Sequence, residues 1–438
     1  MNPYPSYNDS GVEWIGKVPN EWSIVKYKSL GENIVDNIGT EDFKDKKVIH
    51  YSIPNVQSFG KGVMELGNDI KSSKLLFKGG ELIISKLNPR KSTVCIVEEF
   101  EDNIILGSGE FVVLYPKIMD SKYLYYFVIT SKYTDFLDSC VESVTRSHQR
   151  VNPSIIYNSY IPNPSEIEQT QIVSFLDTKT QKIDELIEKT EQKIKLLKEK
   201  RTSLINHCVT KGLNPDVEMK DSGVEWIGEI PRDWKLLKFW LIISSSDLGG
   251  NYNCSSEYEG YPVMKMGNLG RGSINLKKIE YIDNNSNVDK NHILQNGDFL
   301  FNTRNSKELV GKVSLWKNEL PISIYNSNIL RICFNKNVSN DYMNYLFNSN
   351  SILDVLKMIS KGTTNVSGIY FKDLSNIYIC LPSKHEQTQI VEYLDEQTQN
   401  IDSTIEKETQ RIELLKEYRQ SLISEVVTGK VDVRDYNG

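Results

Sequence analysis

The chain has 438 residues, of which 39% are hydrophobic and 25% are charged, with a formal net charge of −6. This length is enough for about three domains of ordinary size, and the balance excludes disordered, collagen-like and low-complexity chains. An acidic net charge alone would argue against a nucleic-acid ligand, but the charge is unevenly distributed along the chain.

A segment near the start of the chain occurs twice. Ser10–Gly16 (SGVEWIG) is repeated without a change at Ser222–Gly228. Each copy continues into a P-x-x-W sequence, ending at Trp22 and Trp234, and then into alternating apolar residues that predict a first strand. We interpret the two copies as the beginnings of two equivalent modules.

The regions that follow, about 22–160 and 234–380, differ in sequence. Both are rich in Tyr, Phe, Val, Ile, Asn and Gly, which predicts mixed strands with a few helices, including one near 123–137 and one near 341–357. One stretch is faintly similar between them, GGELIIS at 79–85 and NGDFLFN at 296–302. In both regions this stretch predicts a turn, a strand and then a polar loop.

Each variable region carries two polar loops, one after this strand and one just before its end. Region 22–160 has 17 basic and 17 acidic residues, and region 234–380 has 16 and 12, so neither is basic enough to bind DNA through phosphates alone. Arg, Lys, Asn and Gln read base edges, and the loops contain them, although each one taken singly is more simply a solvated loop residue. The candidate DNA-binding residues are Lys86, Asn88, Arg90, Lys91, Arg146, His148, Gln149, Arg150, Asn302, Arg304, Asn305, Lys307, Lys361, Thr363, Thr364 and Asn365.

Each module ends in a predicted long helix that begins with EQTQIV, at 168–173 and 386–391. Apolar residues then recur at alternating spacings of three and four, which predicts a coiled coil, with Ser165 or Ser383 as N-cap and Gly212 ending the first helix. Two amphipathic helices packed on their own domains are the alternative. The predicted seam residues are Leu176, Ile183, Ile187, Ile194, Leu197, Leu394, Ile401, Ile405, Ile412 and Leu415.

Motifs for catalysis and metal binding are almost absent from the sequence, and Asp298 with Glu308 and Lys312 is a weak candidate for a metal-dependent nuclease site. There is no phosphate-binding loop, no H-E-x-x-H pattern and no Asn-Pro-Pro-aromatic tetrad, and the six cysteines form no C-x-x-C pair. We therefore expect no catalytic residues, no metal site and no cofactor in this chain. No apolar run reaches the ~18 residues of a membrane span, and the N-terminal residues do not resemble a signal peptide, so we expect a cytoplasmic protein with no membrane partner.

The order of these blocks resembles the specificity subunit of type I restriction-modification systems. The resemblance rests on two WIG-x-x-P-x-x-W segments, two variable regions closing in Ile161-Pro162 or Leu381-Pro382, and two E-Q-x-x-I-V helices. It implies an α+β protein with two mixed target recognition domains, two long antiparallel coiled-coil helices and an internal pseudo-twofold repeat. The boundaries expected are 1–160 for the first recognition domain with its repeated segment at 10–22, 161–211 for the first helix, 212–233 for the linker and second repeated segment, 234–380 for the second recognition domain, 381–430 for the second helix and 431–438 for a C-terminal tail.

The resemblance further implies the function and the partners. Each recognition domain would read one half of a bipartite, asymmetric site in double-stranded DNA, while the helices would set the spacer and dock two modification (methyltransferase) subunits. S-adenosylmethionine, ATP and Mg would belong to the partners, which include the restriction (translocase and nuclease) subunits. Two alternatives stay open: the specificity subunit of a type IIB-like enzyme, and a coiled-coil scaffold whose variable modules bind proteins.

Overall fold

A computed structural model of the chain describes residues 2–33, 35–142, 149–283, 285–362 and 366–436. Two long helices, Glu166–Lys211 and Lys384–Val427, follow the two variable regions. The chain divides into two compact units: the first contains 1–191 and 410–438, and the second contains 192–409. Each unit therefore takes residues from both long helices, whereas the boundaries expected from the sequence treat each helix as one segment.

The first unit contains short sheets and helices around the first variable region. A four-stranded sheet contains, in spatial order, Val94–Ile96, Leu82–Ser85, Phe111–Pro116 and Gly31–Glu32, and a five-stranded sheet contains Asp36–Ile38, Lys74–Phe77, Ile104–Gly107, Lys47–Tyr51 and Val63–Leu66. Strand pairs are Tyr7–Asp9 with Lys17–Pro19, Tyr160–Asn163 with Ser23–Lys26, and Val141–Glu142 with Arg150–Val151. Short helices are Thr40–Phe43, Ile53–Phe59, Ser121–Val128, Ser131–Ser139 and Pro153–Asn158.

The second unit repeats this plan. Its two four-stranded sheets are Ile243–Leu248, Ile329–Phe334, Phe299–Asn302 and Val313–Leu315, and Cys254–Ser255, Glu280–Ile282, Pro262–Met264 and Ile324–Tyr325. A three-stranded sheet contains Arg304–Asn305, Ser367–Gly368 and Lys361–Gly362, and the strand pairs are Met219–Asp221 with Glu229–Pro231 and Lys235–Lys238 with Tyr378–Leu381. Its short helices are Asn340–Phe347, Asn350–Ile359 and Phe371–Ser375.

The single helix predicted in each variable region is in fact two helices. In the first unit the helix is interrupted at Thr130. The Thr130 hydroxyl accepts a hydrogen bond from the backbone N–H of Tyr133 and caps the start of a second helix. In the second unit the break comes at Asn348 and Ser349. The apolar pattern continues through both breaks because the two helices pack on the same core, so the pattern alone did not show the interruption.

Within each unit the long helices run antiparallel. In the second unit Lys193 contacts Glu408 at 2.5 Å and Arg201 contacts Asp402 at 2.9 Å, so residue numbers rise on one helix as they fall on the other. In the first unit the Asp184 carboxylate accepts two hydrogen bonds from Arg419, at 2.9 and 3.1 Å. Asp184 and Asp402 are equivalent positions of the repeat, as are Arg201 and Arg419, so the same ion pair forms in each unit. The antiparallel helices and the internal repeat expected from the sequence are confirmed.

The predicted seam faces inward along these helices. Leu176, Ile183, Leu394, Ile401 and Ile412 are buried. Ile187, Ile194, Leu197, Ile405 and Leu415 are half-buried. In both units the helix ends that carry the fully buried Leu176 and Leu394 share their apolar core with the recognition domain.

Hydrogen bonds made by the repeated EQTQIV motif explain why it occurs in both modules. The buried side chain of Gln169 accepts a hydrogen bond from the Asp120 backbone N–H at 2.8 Å, and Gln387 accepts one from Ser339 at 2.7 Å. Each glutamine also donates to the carbonyl of the proline before its own helix, at 3.0 Å. The motif therefore attaches each recognition domain to the start of its helix.

Replacing Arg419 by Ala is expected to lower the free energy of unfolding by ~0.2–1 kcal/mol, since both partners of its ion pair are partly exposed and screened by solvent. A double-mutant cycle with Asp184→Ala, followed by urea unfolding at low and high salt, measures the coupling energy. The equivalent cycle on Arg201 and Asp402 is the matched control and should give a similar value. A coupling energy of zero in both cycles would contradict a role for these pairs in helix pairing.

Candidate nucleic-acid interface

In the first unit the first polar loop lies beside Gln149 and Arg150, the described end of the second polar loop, although the two are far apart in sequence. The buried strand Leu82–Ser85 leads into the first loop, and Leu87 then pairs with Arg150 as an isolated antiparallel bridge. The backbone N–H of Asn88 donates to the carbonyl of Gln149 at 2.7 Å, and Val151 donates to Lys86 at 3.0 Å. The first loop is thereby joined to the strand pair that carries the second.

In the second unit the first polar loop pairs in the same way with the described strands that flank 363–365. Arg304–Asn305 follows the buried strand Phe299–Asn302 and pairs with Ser367–Gly368, which pairs in turn with Lys361–Gly362. The backbone N–H of Ile369 donates to Thr303 at 2.9 Å, as Val151 does to Lys86 in the first unit. Two unlike sequences thus build the same hydrogen-bonded arrangement of loops.

Asn302 was predicted to contact DNA, but it is fully buried. Its amide donates to the Arg304 carbonyl at 3.1 Å, and its side-chain oxygen accepts from the Asn305 amide at 3.3 Å. Ser85, at the equivalent position of the first unit, makes a similar local bond to the carbonyl of Leu87 at 3.0 Å. Asn302 is therefore a structural residue that holds the loop, and a side chain with no exposed surface cannot reach a base edge.

Substituting Asn302 by Ala is expected to destabilise the chain by about 1 kcal/mol, because buried loop carbonyls lose their donor. Asn302→Ser should recover part of this loss, since serine does the equivalent work at position 85. Thermal unfolding of both variants measures the effect. Equal stabilities for the alanine and serine variants would contradict this role.

Among the described residues of the first unit's loops, Lys86 and Arg150 have partners inside the unit. Arg150 donates to both carboxylate oxygens of Glu110, at 2.8 and 3.2 Å, and Lys86 donates to the Gly109 carbonyl at 3.0 Å. Arg90 and Lys91 are exposed, on a turn whose first residue, Asn88, has a left-handed backbone. Glu110 was not identified from the sequence, where nothing close to it indicates an arginine partner.

A cavity of about 380 Å³ lies beside the polar loops of the second unit. Arg304, which is exposed, lines it together with Thr303, Asn251 and the exposed aromatic ring of Tyr370. An exposed guanidinium beside a polar cavity can offer a fork of donors to a planar ligand with two acceptors.

The remaining predicted residues of this unit differ in exposure and in whether their side chains have partners. Lys361 pairs with Asp373 at 2.6 Å, with its ammonium 5.8 Å from the centre of the Tyr370 ring. Asn305 is half-buried against Asn302, whereas Lys307 is exposed. Tyr370 and Asp373 were missed in the sequence because they follow the second loop within an apolar stretch.

Five of the predicted residues lie outside the described part of the chain. They are Arg146, His148, Thr363, Thr364 and Asn365. Among the residues that the structure describes, no group of three or more His, Cys, Asp or Glu side chains could hold a metal ion. No helix in the same residues is long and apolar enough to cross a membrane.

Comparison with known proteins gives a family match over most of the chain. The Type I restriction modification DNA specificity domain matches residues 19–196 and 250–416. The chain is 24% identical over 439 residues to a putative type I restriction enzyme MjaX specificity subunit of Methanocaldococcus jannaschii, covering 96% of each chain. It is 25% identical over 325 residues to the type I restriction enzyme EcoKI specificity subunit of Escherichia coli, covering 73% of this chain and 68% of the relative.

Solved structures show the same fold. A chain from a study of complex assembly and conformational transition of the type I R-M system matches with a TM-score of 0.75 at 17% identity, covering 94% of this chain and 99% of that one. The HsdS subunit from Thermoanaerobacter tengcongensis matches with a TM-score of 0.55 at 16% identity, covering 94% and 98%. At these identities the likeness extends to the fold alone.

Proposed function

The chain belongs to the type I restriction modification DNA specificity family, and on that premise we propose that it reads a bipartite, asymmetric DNA site with one recognition domain for each half. It acts as the DNA sequence-specificity subunit of a restriction-modification system. The helices set the spacer between the half-sites. In this division of labour the chain itself performs no chemistry.

One observation carries this proposal: both units join two polar loops by the same backbone hydrogen bonds, but with different side chains. Leu87 occupies the position of Arg304, and Arg150 that of Gly368. Equivalent positions with different hydrogen-bonding groups are expected to read different bases. The duplex site should therefore have two dissimilar halves.

The partners proposed are double-stranded DNA, two modification subunits and the restriction subunits. Leu196 and Leu414, equivalent residues of the two helices, are each 64% exposed, and Leu186 is also exposed. Phe175, Ile205 and Ile423 are instead buried against the chain's own domains, so only part of the apolar surface outside the seam remains for partner helices. S-adenosylmethionine, ATP and Mg would be bound by the partners.

A type IIB-like system remains the nearest alternative, because it would use the same specificity fold with differently arranged catalytic chains. A protein-binding scaffold is the more distant one. A scaffold should expose apolar side chains at the loop surface. In the described part of the second unit that surface carries Arg304, Lys307 and Lys361 together with exposed Leu309, Val366, Tyr370 and Phe371, so methylation mapping rather than composition decides between the two.

The proposal is tested by co-expressing the chain with its candidate modification subunit in a host free of DNA methylation and mapping modified bases by long-read sequencing. A split, asymmetric motif methylated once on each strand is the expected result. A stable complex that adds no methylation would contradict the proposal and favour the scaffold.

A further inference from the structure

A glycine-flanked cation lies beside the strand that follows the first polar loop in both units, and neither copy is among the candidate DNA-binding residues. The first unit has Gly60-Lys61-Gly62 and the second has Gly270-Arg271-Gly272. Both cations are exposed. Gly60 and Gly272 have backbone φ angles of +66° and +81°, a left-handed conformation that favours glycine, so each turn is built from residues suited to its shape.

The two turns occupy equivalent places in their units. The thiol of Cys95 donates to the Gly60 carbonyl at 3.0 Å. The hydroxyl of Ser314 donates to the carbonyl of Ser273, at the end of the second turn, at 2.8 Å and lies 3.4 Å from the Gly270 carbonyl. Cys95 and Ser314 lie on the strands that pair with the buried strands before the polar loops, Val94–Ile96 and Val313–Leu315. Each turn is thus held on the strand to which its polar loop returns.

In the second unit the turn also contacts the loop directly. Arg271 donates to the carbonyl of Glu308 at 3.2 Å, and the Gly272 backbone N–H donates to Val313 at 2.8 Å. The loop returns at Lys312, whose carbonyl accepts from the Asn302 backbone N–H at 2.8 Å. Arg271 thereby joins a loop that already carries Arg304, Lys307 and Lys312, with Glu308 as the one carboxylate.

The electrostatics of this cluster favour an anionic ligand. Desolvation lowers the pKa of Arg271, an effect that the Glu308 carboxylate opposes. The pKa of Lys312 is lowered by desolvation and then by the positive charge of Arg271. Glu308 supplies one negative charge against Arg271, Arg304, Lys307 and Lys312, so positive charge is left over, and on a DNA-reading surface a backbone phosphate can balance it.

We propose that Arg271, with Lys312 beside it, contacts a backbone phosphate of the half-site read by the second unit, and that Lys61 does the same in the first unit. This inference rests on the proposed function and adds residues that contact the DNA backbone. Phosphate contacts hold a protein in register on the duplex without reading sequence. The turns position each recognition domain while the neighbouring loops read bases.

The test measures the affinity of the full chain, in complex with its modification subunit, for a duplex carrying the mapped site and for a scrambled duplex, over a series of salt concentrations. Arg271→Ala is expected to weaken binding to both duplexes by a similar factor. It should also make the slope of log affinity against log salt shallower by ~0.9, the value for one lost phosphate contact. Lys61→Ala should behave alike, and the methylated motif should stay the same in both variants.

Two controls separate charge from folding. Arg271→Lys keeps the charge and should keep the wild-type slope. Lys336→Ala removes an exposed cation that is not part of the polar loops or the glycine-flanked turns, and it should also leave the slope unchanged. Its neighbour Asn337 accepts a hydrogen bond from Gln387 at the start of the second helix. A wild-type slope for Arg271→Ala, or a change at a single base of its motif, would overturn the inference. A wild-type complex that bound both duplexes equally would instead overturn the proposed function.

Discussion

Inserting four residues into each long helix, after Lys189 and after Lys407, is expected to change the spacer of the methylated motif and to leave both half-sites unchanged. The two positions are equivalent in the repeat, and each helix supplies residues to both units. Four residues add about 6 Å of helix, close to one turn, so the apolar stripes stay nearly in phase. Since base pairs are ~3.4 Å apart, the spacer should lengthen by about one to two base pairs.

Long-read mapping of methylated bases measures this directly. Four residues inserted after Pro215, in the exposed linker segment 214–216 of the second unit, provide the control and should leave the motif as it is. If a folded and active complex of the helix variant methylated a motif with the original spacer, the helices would not set the spacing.

Arg304→Ala is expected to relax one base position of one half-site, at a cost in discrimination of ~1–3 kcal/mol. Arg304 is exposed beside the cavity that Tyr370 lines, and a guanidinium can donate two hydrogen bonds to the O6 and N7 atoms of guanine. The other half-site should be unaffected, because no residue of the first unit changes. Arg146, a candidate of the first unit for the same role, lies outside the described residues.

The measurement compares methylation rates, or affinities, across duplexes that differ at single positions. Arg304→Lys serves as the matched variant: it keeps the charge but loses the planar fork, so it should lose discrimination at the same base while retaining the salt dependence. Equal weakening on every duplex would instead identify Arg304 as a phosphate contact.

The sequence predicted the repeated elements well because their signals are local. The seam pattern and the caps at Ser165 and Ser383 involve neighbouring residues on one helix, and the structure has both serine hydroxyls accepting from the backbone three residues on, at 3.3 and 3.2 Å. Gly212 ends the first helix with a φ of +79°, as its position suggested. The break at Thr130 was missed, since it depends on a cap inside a continuous apolar pattern.

The candidate interface could be predicted only in part. Both pairs of polar loops were found, but not which side chains in them remain available. Arg150 is engaged by Glu110, 40 residues earlier, and Asn302 is buried by a loop that folds back over it. Arg271 was not identified as a candidate for the same reason, because the loop that it contacts begins about thirty residues later.

By itself, then, the sequence determined the two modules, their order, the long helices and the type of residue offered to DNA. Each of these follows from residue periodicity, caps and repetition within a few turns of chain. Only the tertiary structure decided which helix segments belong to each unit, which loops meet, and which cations are compensated. Those outcomes depend on contacts between distant segments, such as Leu87 with Arg150 and Arg201 with Asp402, whose partners the local pattern does not specify.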